Sequence, residues 1–399
     1  MATASRYCAV ICSVLVVIFS NSTAYATTQQ ELLPKIYEAL GVTAPAKYFT
    51  PMDGELTKAD AFRAALEGMG WGFELKMYDQ VFMLPEWSDR DPLQSLAVCM
   101  KPQPPASICE HLDEPFADED LPAFWNWLHT CKKEVSLHSQ FNWQGVSLII
   151  IKHGIGTPGG PANGTKDGVN QPRYIAALAV DMNLAPCQIA TAEMIGLKKK
   201  ATLASICTEN YGVIGGINGG YFGGSQPIGI LRRQGYAHNP KFWPNRSAFG
   251  WNDKGEYIFI DAKEVKNIDS RFDKYTEMMQ AGPLLLKNGK FADNTENIAP
   301  GVLNNRHPRT IVGTDGKHRI VWAVIDGRNA MHSVGATIEE TKTVCRWLGL
   351  TTALNLDGGG SSSLWWRGFT FTLPSNSKAD ERPIPYAVLV FQQGSGVRQ

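Results

Sequence analysis

Apolar residues at helical spacing dominate the first third of the chain. Between residues 31 and 40 they recur every three or four positions, which predicts a helix. Thr57 and Asp60 have the spacing of a capping box, which predicts that a second helix begins there. Another short helix is predicted for residues 121–131. Together these patterns indicate a small helical N-terminal region over residues 27–140.

From about residue 145 the pattern changes to short apolar runs bounded by glycine and other turn residues, which predict β-strands. The predicted strands are residues 146–151, 174–180, 213–217, 256–260, 284–286, 309–312, 320–325 and 386–391. Thr337 and Glu340 form a second capping box, which predicts one helix among these strands. Strands outnumber helices without regular alternation. The sequence therefore predicts the α+β class, with a mixed β-sheet core flanked by helices over residues 145–393.

The first 26 residues have the pattern of a secretory signal. Arg6 supplies a positive charge, an apolar run follows over residues 9–19, and small residues at Ala24 and Ala26 form a cleavage site. The apolar run is too short for a membrane-spanning helix, and no later segment is longer. We therefore expect a secreted or periplasmic protein, cleaved near Ala26 and without a transmembrane segment.

Six cysteines follow the predicted signal: Cys99, Cys109, Cys131, Cys187, Cys207 and Cys345. An even number in an exported chain favours disulfides, and the local possibilities pair the first with the second or third and the fourth with the fifth. The cysteine and histidine spacings are not those of zinc sites, so neither a metal nor another cofactor is predicted. The formal net charge is +0, which offers no basic field for nucleic acid.

A loop rich in glycine and serine follows the apolar run that precedes Asp357. Its residues are Gly358, Gly359, Gly360, Ser361, Ser362 and Ser363. Successive glycines allow positive φ angles, and such a loop can direct several N–H groups and hydroxyls at one anion. A flexible turn is the alternative interpretation. The pattern after the loop is that of a strand, which disfavours anion binding at a helix N-terminus.

Three further clusters combine glycine or proline with polar residues at the ends of predicted strands. They are residues 218–222 (with Asn218 and Gly219), 306–310 (with His307 and Arg309) and 325–328 (with Asp326 and Arg328). Loops at strand ends are where rigid scaffolds often present functional groups, and arginine suits phosphate recognition. Each residue also has a structural interpretation, such as a turn for Asp326 or a surface ion pair for Arg309.

Five motifs, in this order, resemble the phosphodiester glycosidase family. They are Asn218-Gly-Gly-Tyr-Phe222, Ala281-Gly-Pro-Leu-Leu-Leu-Lys-Asn-Gly289, Arg306-His-Pro-Arg-Thr-Ile-Val-Gly313, Val324-Ile-Asp-Gly-Arg328 and Asn355-Leu-Asp-Gly-Gly-Gly-Ser-Ser362. The resemblance covers roughly residues 145–393 and leaves out residues 27–140. It implies hydrolysis of a sugar-1-phosphodiester to free sugar and a phosphomonoester.

The candidate residues fit this chemistry on their own terms. A phosphomonoester leaves readily once its charge is neutralised, so the site needs an anion cradle and a carboxylate. The candidate catalytic residues are Asp357, Asp326 and, as a proton carrier, His307. The candidate substrate- or phosphate-binding residues are Asn218, Gly219, Arg309, Arg328, Gly358, Gly359, Gly360, Ser361 and Ser362.

The leading hypothesis is an exported glycosidase acting on sugar-1-phosphodiesters, in a cell-wall polymer or a phosphoglycan. One alternative is a non-catalytic cell-surface protein that binds glycans through the same fold. Another is a phosphodiesterase that cleaves the other ester bond. The helical region over residues 27–140 could anchor the protein to a wall polymer. No nucleic-acid partner is expected.

Overall fold

The structure is a computed structural model, and it describes residues 29–40, 56–157, 159–165, 171–264, 270–293, 296, 298–376 and 380–395. The predicted signal over residues 1–26 lies outside the described residues. Within the described ranges, none of the helices has the length and apolar character needed to cross a membrane.

The N-terminal region is helical, as the apolar spacing predicts. Its helices are α1 (Gln29–Leu40), α2 (Lys58–Gly68), α3 (Gly72–Phe82), α4 (Pro92–Cys99), α5 (Ala106–Cys109) and α6 (Leu121–Lys133). The predicted capping box is present at α2. The Thr57 hydroxyl accepts a hydrogen bond from the Asp60 amide at 3.2 Å, and the Asp60 carboxylate accepts one from the Thr57 amide at 3.1 Å.

The rest of the described chain is mainly strand. In chain order the strands are β1 (Met100–Lys101), β2 (Ser136–Trp143), β3 (Val146–His153), β4 (Arg173–Asp181), β5 (Cys187–Thr191), β6 (Val213–Asn218), β7 (Phe222–Gly223), β8 (Gln226–Pro227), β9 (Leu231–Arg233), β10 (Tyr236–Asn239), β11 (Ser247–Trp251), β12 (Tyr257–Ile260), β13 (Glu277–Ala281), β14 (Leu284–Lys287), β15 (Lys290–Phe291), β16 (Arg309–Thr314), β17 (Arg319–Ile325), β18 (Thr352–Asn355), β19 (Leu364–Trp366), β20 (Phe369–Thr370) and β21 (Tyr386–Phe391). The helices among them are α7 (Leu203–Thr208), α8 (Pro300–Asn304) and α9 (Ile338–Trp347).

The strands form one large sheet and several smaller ones. The nine-stranded sheet has the order β1-β2-β3-β4-β17-β16-β18-β14-β15. The two five-stranded sheets have the orders β10-β9-β13-β11-β12 and β20-β19-β6-β21-β5, and β7 pairs with β8. The described pairs within these sheets are antiparallel. The predicted α+β class is therefore confirmed.

Alternate residues of the nine-stranded sheet face two different cores, as the two-residue repeat of a strand requires. Trp322 and Leu354 face a core that both five-stranded sheets share. Ala323 and Ala353 belong to a second core, which α9 covers with Val344. The large sheet is thus packed on both faces.

Antiparallel pairing brings several of the predicted polar clusters to one edge of the large sheet. Arg309 at the start of β16 pairs with Ile325 at the end of β17, and Ile311 pairs with Asn355 at the end of β18. The cluster at residues 306–310 therefore precedes a strand, which corrects the expectation that it follows one. It lies beside the other clusters because β16 runs antiparallel to β17 and β18, so its start is next to their ends.

The helical region and the strand-rich region pack against each other. The Trp87 ring lies 5.7 Å from that of Phe141 and 5.8 Å from that of Trp366, between ring centroids. Arg367 donates two hydrogen bonds to the Glu86 carboxylate, at 2.9 and 3.0 Å. A single hydrophobic core includes residues from both regions. We therefore propose that the two regions predicted from sequence unfold together.

The six cysteines after the predicted signal are all described, and all are free thiols. The predicted disulfides are therefore absent from the structure. Cys187, Cys207 and Cys345 are instead buried in hydrophobic clusters, where a thiol packs as a small apolar group. Burial raises the pKa of Cys187 to about 12, which keeps it protonated and unreactive.

Replacing Trp87 by Ala tests this shared core. Because the side chain is 8% exposed and packs, from the helical region, on aromatic rings of two strands, we expect the free energy of unfolding to fall by about 3 kcal/mol. Urea unfolding should still show one transition. Trp347→Ala, at a position that is 51% exposed, is the matched control with little expected effect. Two separate transitions, or equal effects of both variants, would contradict the proposal.

Candidate active site

Asn218 fixes the loop that carries Asp357. The Asn218 side chain is buried at the end of β6, and its Nδ2 donates to the Asp357 carbonyl oxygen at 2.8 Å. Its Oδ1 accepts from the Thr310 hydroxyl at 2.9 Å and from the Ser363 amide at 3.1 Å. The asparagine thus joins β6, β16 and the glycine-serine loop. Next to it, Gly219 packs against the Tyr386 ring, where a Cβ atom would overlap that ring.

Asp357 is a half-buried carboxyl at the lip of the glycine-serine loop. Burial raises its pKa to about 6, although hydrogen bonds from the Ser361 hydroxyl and the Gly358 amide and the charge of Arg382 oppose that shift. A carboxyl with such a pKa is largely ionised at pH 7 and can still take up a proton. These are the properties of a general base or of a carboxylate that stabilises developing positive charge.

Gly359, Gly360 and Ser361 form a short 3₁₀ turn, and Gly358 precedes it in an extended conformation. A Cβ atom at Gly358 would lie 2.7 Å from the Pro308 carbonyl oxygen, and Gly359 has a φ of +62°. The Gly359 amide donates to Pro308 O at 2.9 Å, and the amides of Ser361 and Ser362 donate within the turn. These amides hold the turn in place, so the positive charge over this loop comes from arginine side chains instead.

Arg328 and Arg382 both lie over the glycine turn. Arg382 donates from Nη1 to the Ser361 hydroxyl at 3.3 Å, and its Nη2 would lie 2.7 Å from a Cβ atom at Gly360. Arg328 Nη2 would lie 3.1 Å from a Cβ atom at Gly359. Burial, and then the charge of Arg382, lower the pKa of Arg328, so the two guanidinium groups repel each other. An anion bound between them would relieve that repulsion.

His307 holds Arg328 in place. Its Nδ1 accepts from Arg328 Nη2 at 3.3 Å, and its Nε2 faces the Gly301 carbonyl oxygen at 3.2 Å. Guanidinium only donates and a carbonyl only accepts, so the ring must carry its proton on Nε2. Burial, followed by the charges of Arg309 and Arg328, lowers the pKa of His307 and keeps it neutral. Both ring nitrogens are engaged, which suits a positioning role better than the predicted role of proton carrier.

Arg309 is buried and binds backbone carbonyl groups. Its Nε donates to Ala336 O at 2.8 Å, and its Nη2 donates to Val302 O at 2.6 Å and to Asn305 O at 3.0 Å. Burial lowers its pKa to about 10. These contacts stabilise the loop around α8 and favour a scaffold role, with Arg328 and Arg382 as the exposed cations of the site.

The two candidate carboxylates lie in different surroundings. Asp326 is 2% exposed, and its Oδ2 accepts from His332 Nε2 at 2.9 Å and from the Leu373 amide at 2.7 Å. Its carboxylate is therefore directed at a buried histidine, whereas Asp357 contacts the glycine turn. Among the described residues, no group of three or more His, Cys, Asp or Glu side chains is arranged to hold a metal ion.

Tyr221 adjoins the strand end that precedes Asp357. The Tyr221 hydroxyl donates to Gly282 O at 2.6 Å and accepts from Asn355 Nδ2 at 3.1 Å, two residues before the aspartate. Burial, and then the charge of Asp357, raise the pKa of Tyr221 to about 12. The Arg246 guanidinium lies 5.7 Å from the Tyr221 ring centroid and 4.4 Å from that of Trp243.

Sequence reasoning did not find Arg382, Arg246 or Trp243. Arg382 lies between Asp380 and the last strand, in a stretch without glycine motifs. The loop with Trp243 and Arg246 has an aromatic-proline pattern, which is also typical of ordinary surface loops. Only the packing of distant segments places Arg382 near Asp357, and Arg246 and Trp243 near Tyr221.

Residues 211–391 match the model of the phosphodiester glycosidase family, and they include Asn218, His307, Arg328 and Asp357. The resemblance predicted from the motifs is confirmed for this stretch. The search of curated proteins gives no match.

Two solved structures share the fold. One is the catalytic domain of zebrafish N-acetylglucosamine-1-phosphodiester alpha-N-acetylglucosaminidase, auto-inhibited by its pro-peptide. It is 15% identical with a TM-score of 0.51, and the match covers 64% of this chain and 88% of that chain. The other is a protein of Burkholderia pseudomallei K96243 predicted to be exported. It is 14% identical with a TM-score of 0.51, and the match covers 65% of this chain and 97% of that chain. At these identities the likeness is one of fold.

Asp357→Asn should make the fold more stable at pH 7. The folded state binds the Asp357 proton more tightly than the unfolded chain, since the pKa rises from 3.8 to about 6. The free energy of unfolding therefore falls as the pH rises from 3.8 to about 6, because Asp357 ionises. Above pH 6 the full decrease has been reached. Removing the charge should raise the free energy of unfolding by about 1 to 2 kcal/mol, after allowance for solvent screening.

The measurement is urea unfolding at pH 7 and again at pH 4, where the gain should largely disappear. Asp315→Asn is the matched control, because hydrogen bonds and Arg319 outweigh burial and lower the pKa of Asp315. That variant should be less stable than the wild type at pH 7. A loss of stability in Asp357→Asn at pH 7 would contradict the account of this carboxyl.

Proposed function

We propose that this protein is a glycosidase that hydrolyses sugar-1-phosphodiesters to free sugar and a phosphomonoester. One observation carries the proposal: Asp357, whose pKa is about 6, lies beside a turn over which Arg328 and Arg382 converge. A carboxylate and an anion site at one turn are what this reaction requires. The match of residues 211–391 to the phosphodiester glycosidase family supports the same conclusion.

In the proposed reaction the bond between the anomeric carbon and the phosphate oxygen breaks, and water adds to that carbon. Arg328 and Arg382 neutralise the charge that the departing phosphomonoester gains. Asp357 either takes the proton of the attacking water or stabilises the positive charge that develops at the anomeric carbon. With the phosphate at the arginines, the sugar ring would lie toward Tyr221, whose pKa responds to the charge of Asp357 and whose aromatic ring suits the apolar C–H groups of a sugar.

We also propose that the protein acts after export, on a phosphoglycan or a cell-wall polymer. The signal-like pattern of residues 1–26 supports export. So does the fold shared with a Burkholderia pseudomallei protein predicted to be exported.

A phosphodiesterase is the second candidate, because the same arginine pair would also stabilise attack of water at phosphorus. The two reactions release different products from one synthetic substrate, the p-nitrophenyl diester of N-acetylglucosamine 1-phosphate. A glycosidase releases reducing sugar and colourless p-nitrophenyl phosphate. A phosphodiesterase releases yellow p-nitrophenol and a sugar phosphate that does not reduce.

With this substrate we expect the wild type to release reducing sugar without colour. Asp357→Asn should lower the rate by a factor of about 10³, because it removes the carboxylate and leaves the arginines in place. The Asp315→Asn variant is the control and should keep wild-type activity. Release of p-nitrophenol would favour the phosphodiesterase, and binding without any product would favour a non-catalytic glycan-binding protein.

The pH profile tests the role of Asp357 separately. If its ionised form is the active one, kcat/KM should rise with pH and level off above a midpoint near 6, where the pKa of Asp357 lies. The His307→Gln variant serves as the control, because it has no imidazole at this position to titrate. Its profile should keep the same midpoint even if its KM rises. If the midpoint near pH 6 is lost from the kcat/KM profile of His307→Gln, the group that titrates is the histidine.

A further inference from the structure

The helical N-terminal region contacts the loop that follows Arg328. The Trp71 indole donates to Gly154 O at 3.0 Å, and the Gly156 amide donates to Met69 O at 2.8 Å. The next residue, Thr157, donates from its amide to Ala330 O at 2.8 Å. These contacts form a layer between α2 and α3 on one side and residues 329–336 on the other.

Four buried ionisable groups continue this contact into the protein. Glu74 of α3 lies 3.0 Å from Lys152 Nζ and 3.3 Å from His332 Nδ1, through its Oε1. His332 Nε2 in turn lies 2.9 Å from Asp326 Oδ2. Lys152 also donates to the His332 carbonyl oxygen at 2.5 Å. The side chains are at most 5% exposed, so solvent screens these charges little.

The ionisation of these groups depends on their partners. Burial opposes the charge of Glu74, but Lys152 and His332 outweigh it and hold its pKa below the ordinary value. Burial and Lys152 oppose the charge of His332, but Glu74 and Asp326 outweigh them and raise its pKa. His332 therefore lies between two carboxylates that favour its protonated form. Removing Glu74 leaves Lys152 and His332 facing each other with less compensation.

A short hydrogen-bonded loop connects His332 to Arg328. Asn329 and Ser333 exchange backbone hydrogen bonds at 3.0 and 2.8 Å, and the Ser333 hydroxyl donates to Asp326 O at 2.6 Å. Arg328 has a φ of +63°, a conformation that non-glycine residues adopt only when the surroundings impose it. A shift of His332 would therefore disturb the backbone that directs Arg328 to the glycine turn.

We propose that Glu74 is a positioning residue for Arg328, acting through His332 and Asp326. It belongs to the helical region, outside the residues that match the phosphodiester glycosidase family. The helical region would thus complete the phosphate side of the site. The inference rests on the proposed function only in the assignment of Arg328 to phosphate binding.

The test compares Glu74→Gln with Tyr78→Phe in the full chain. Tyr78 is a matched control, because it is also buried on α3 but hydrogen-bonds to Ser139, away from the loop. We expect Glu74→Gln to weaken binding of inorganic phosphate, measured by calorimetry, about fivefold. The KM for the p-nitrophenyl diester should rise by a similar factor with a smaller change in kcat. Backbone amides of residues 326–336 should exchange faster with deuterium.

A double-mutant cycle separates positioning from a general loss of stability. In an Arg328→Ala background, Glu74→Gln should have no further effect on phosphate affinity. Equal effects of Glu74→Gln with and without Arg328 would overturn the proposal, as would equal effects of Glu74→Gln and Tyr78→Phe. His332→Gln, which keeps a donor toward Asp326, replaces Glu74→Gln if that variant does not fold, and the same weakening is expected.

Hydrolysis and phosphate binding by the wild type separate a failure of the proposed function from a failure of the positioning proposal. A wild type that binds phosphate but hydrolyses no sugar-1-phosphodiester would contradict the glycosidase, while the phosphate titrations would still test Glu74. A wild type that binds no phosphate would overturn the positioning proposal.

Discussion

The antiparallel pairing of β16 with both β17 and β18 is the constraint on which the candidate site depends. It places the start of one strand beside the ends of two others, so His307, Arg328 and Asp357 reach one edge of the sheet. Asn218 then ties the end of β6, from a different sheet, to the Asp357 carbonyl group. A shift of the pairing by one residue would move every side chain of a strand to the opposite face of the sheet. Because both faces are packed, such a shift would disrupt both cores, so the register is well defined.

Within that frame, burial gives two aspartates different properties. Asp357 is half-buried beside exposed arginines and can exchange a proton near neutral pH. Asp326 is buried against His332, and burial raises its pKa while the histidine opposes the shift. The first arrangement suits chemistry on a substrate. The second suits a structural link between the helical region and the loop that carries Arg328.

Local patterns predicted local structure well. The capping boxes at Thr57 and Thr337, the strand-like runs and the turn after Asp357 all depend on residues close together in the chain. The resemblance to phosphodiester glycosidases rested on short motifs of the same kind. Arg382, Trp243 and the partners of Glu74 depend on contacts between distant segments, which no local pattern records. The prediction of disulfides was wrong because it rested on an even count of cysteines. A count does not show whether two thiols lie close together in the fold.

Hydrolysis in water enriched in oxygen-18 tests the central claim most directly, because it shows which bond is broken. With the methyl diester of N-acetylglucosamine 1-phosphate as substrate, mass spectrometry of both products locates the label. If Asp357 acts at the anomeric carbon and the arginines bind the leaving phosphate, the methyl phosphate should carry no label, and the new oxygen should be in the released sugar. Label in the phosphate product would show attack at phosphorus and would contradict this account of the site.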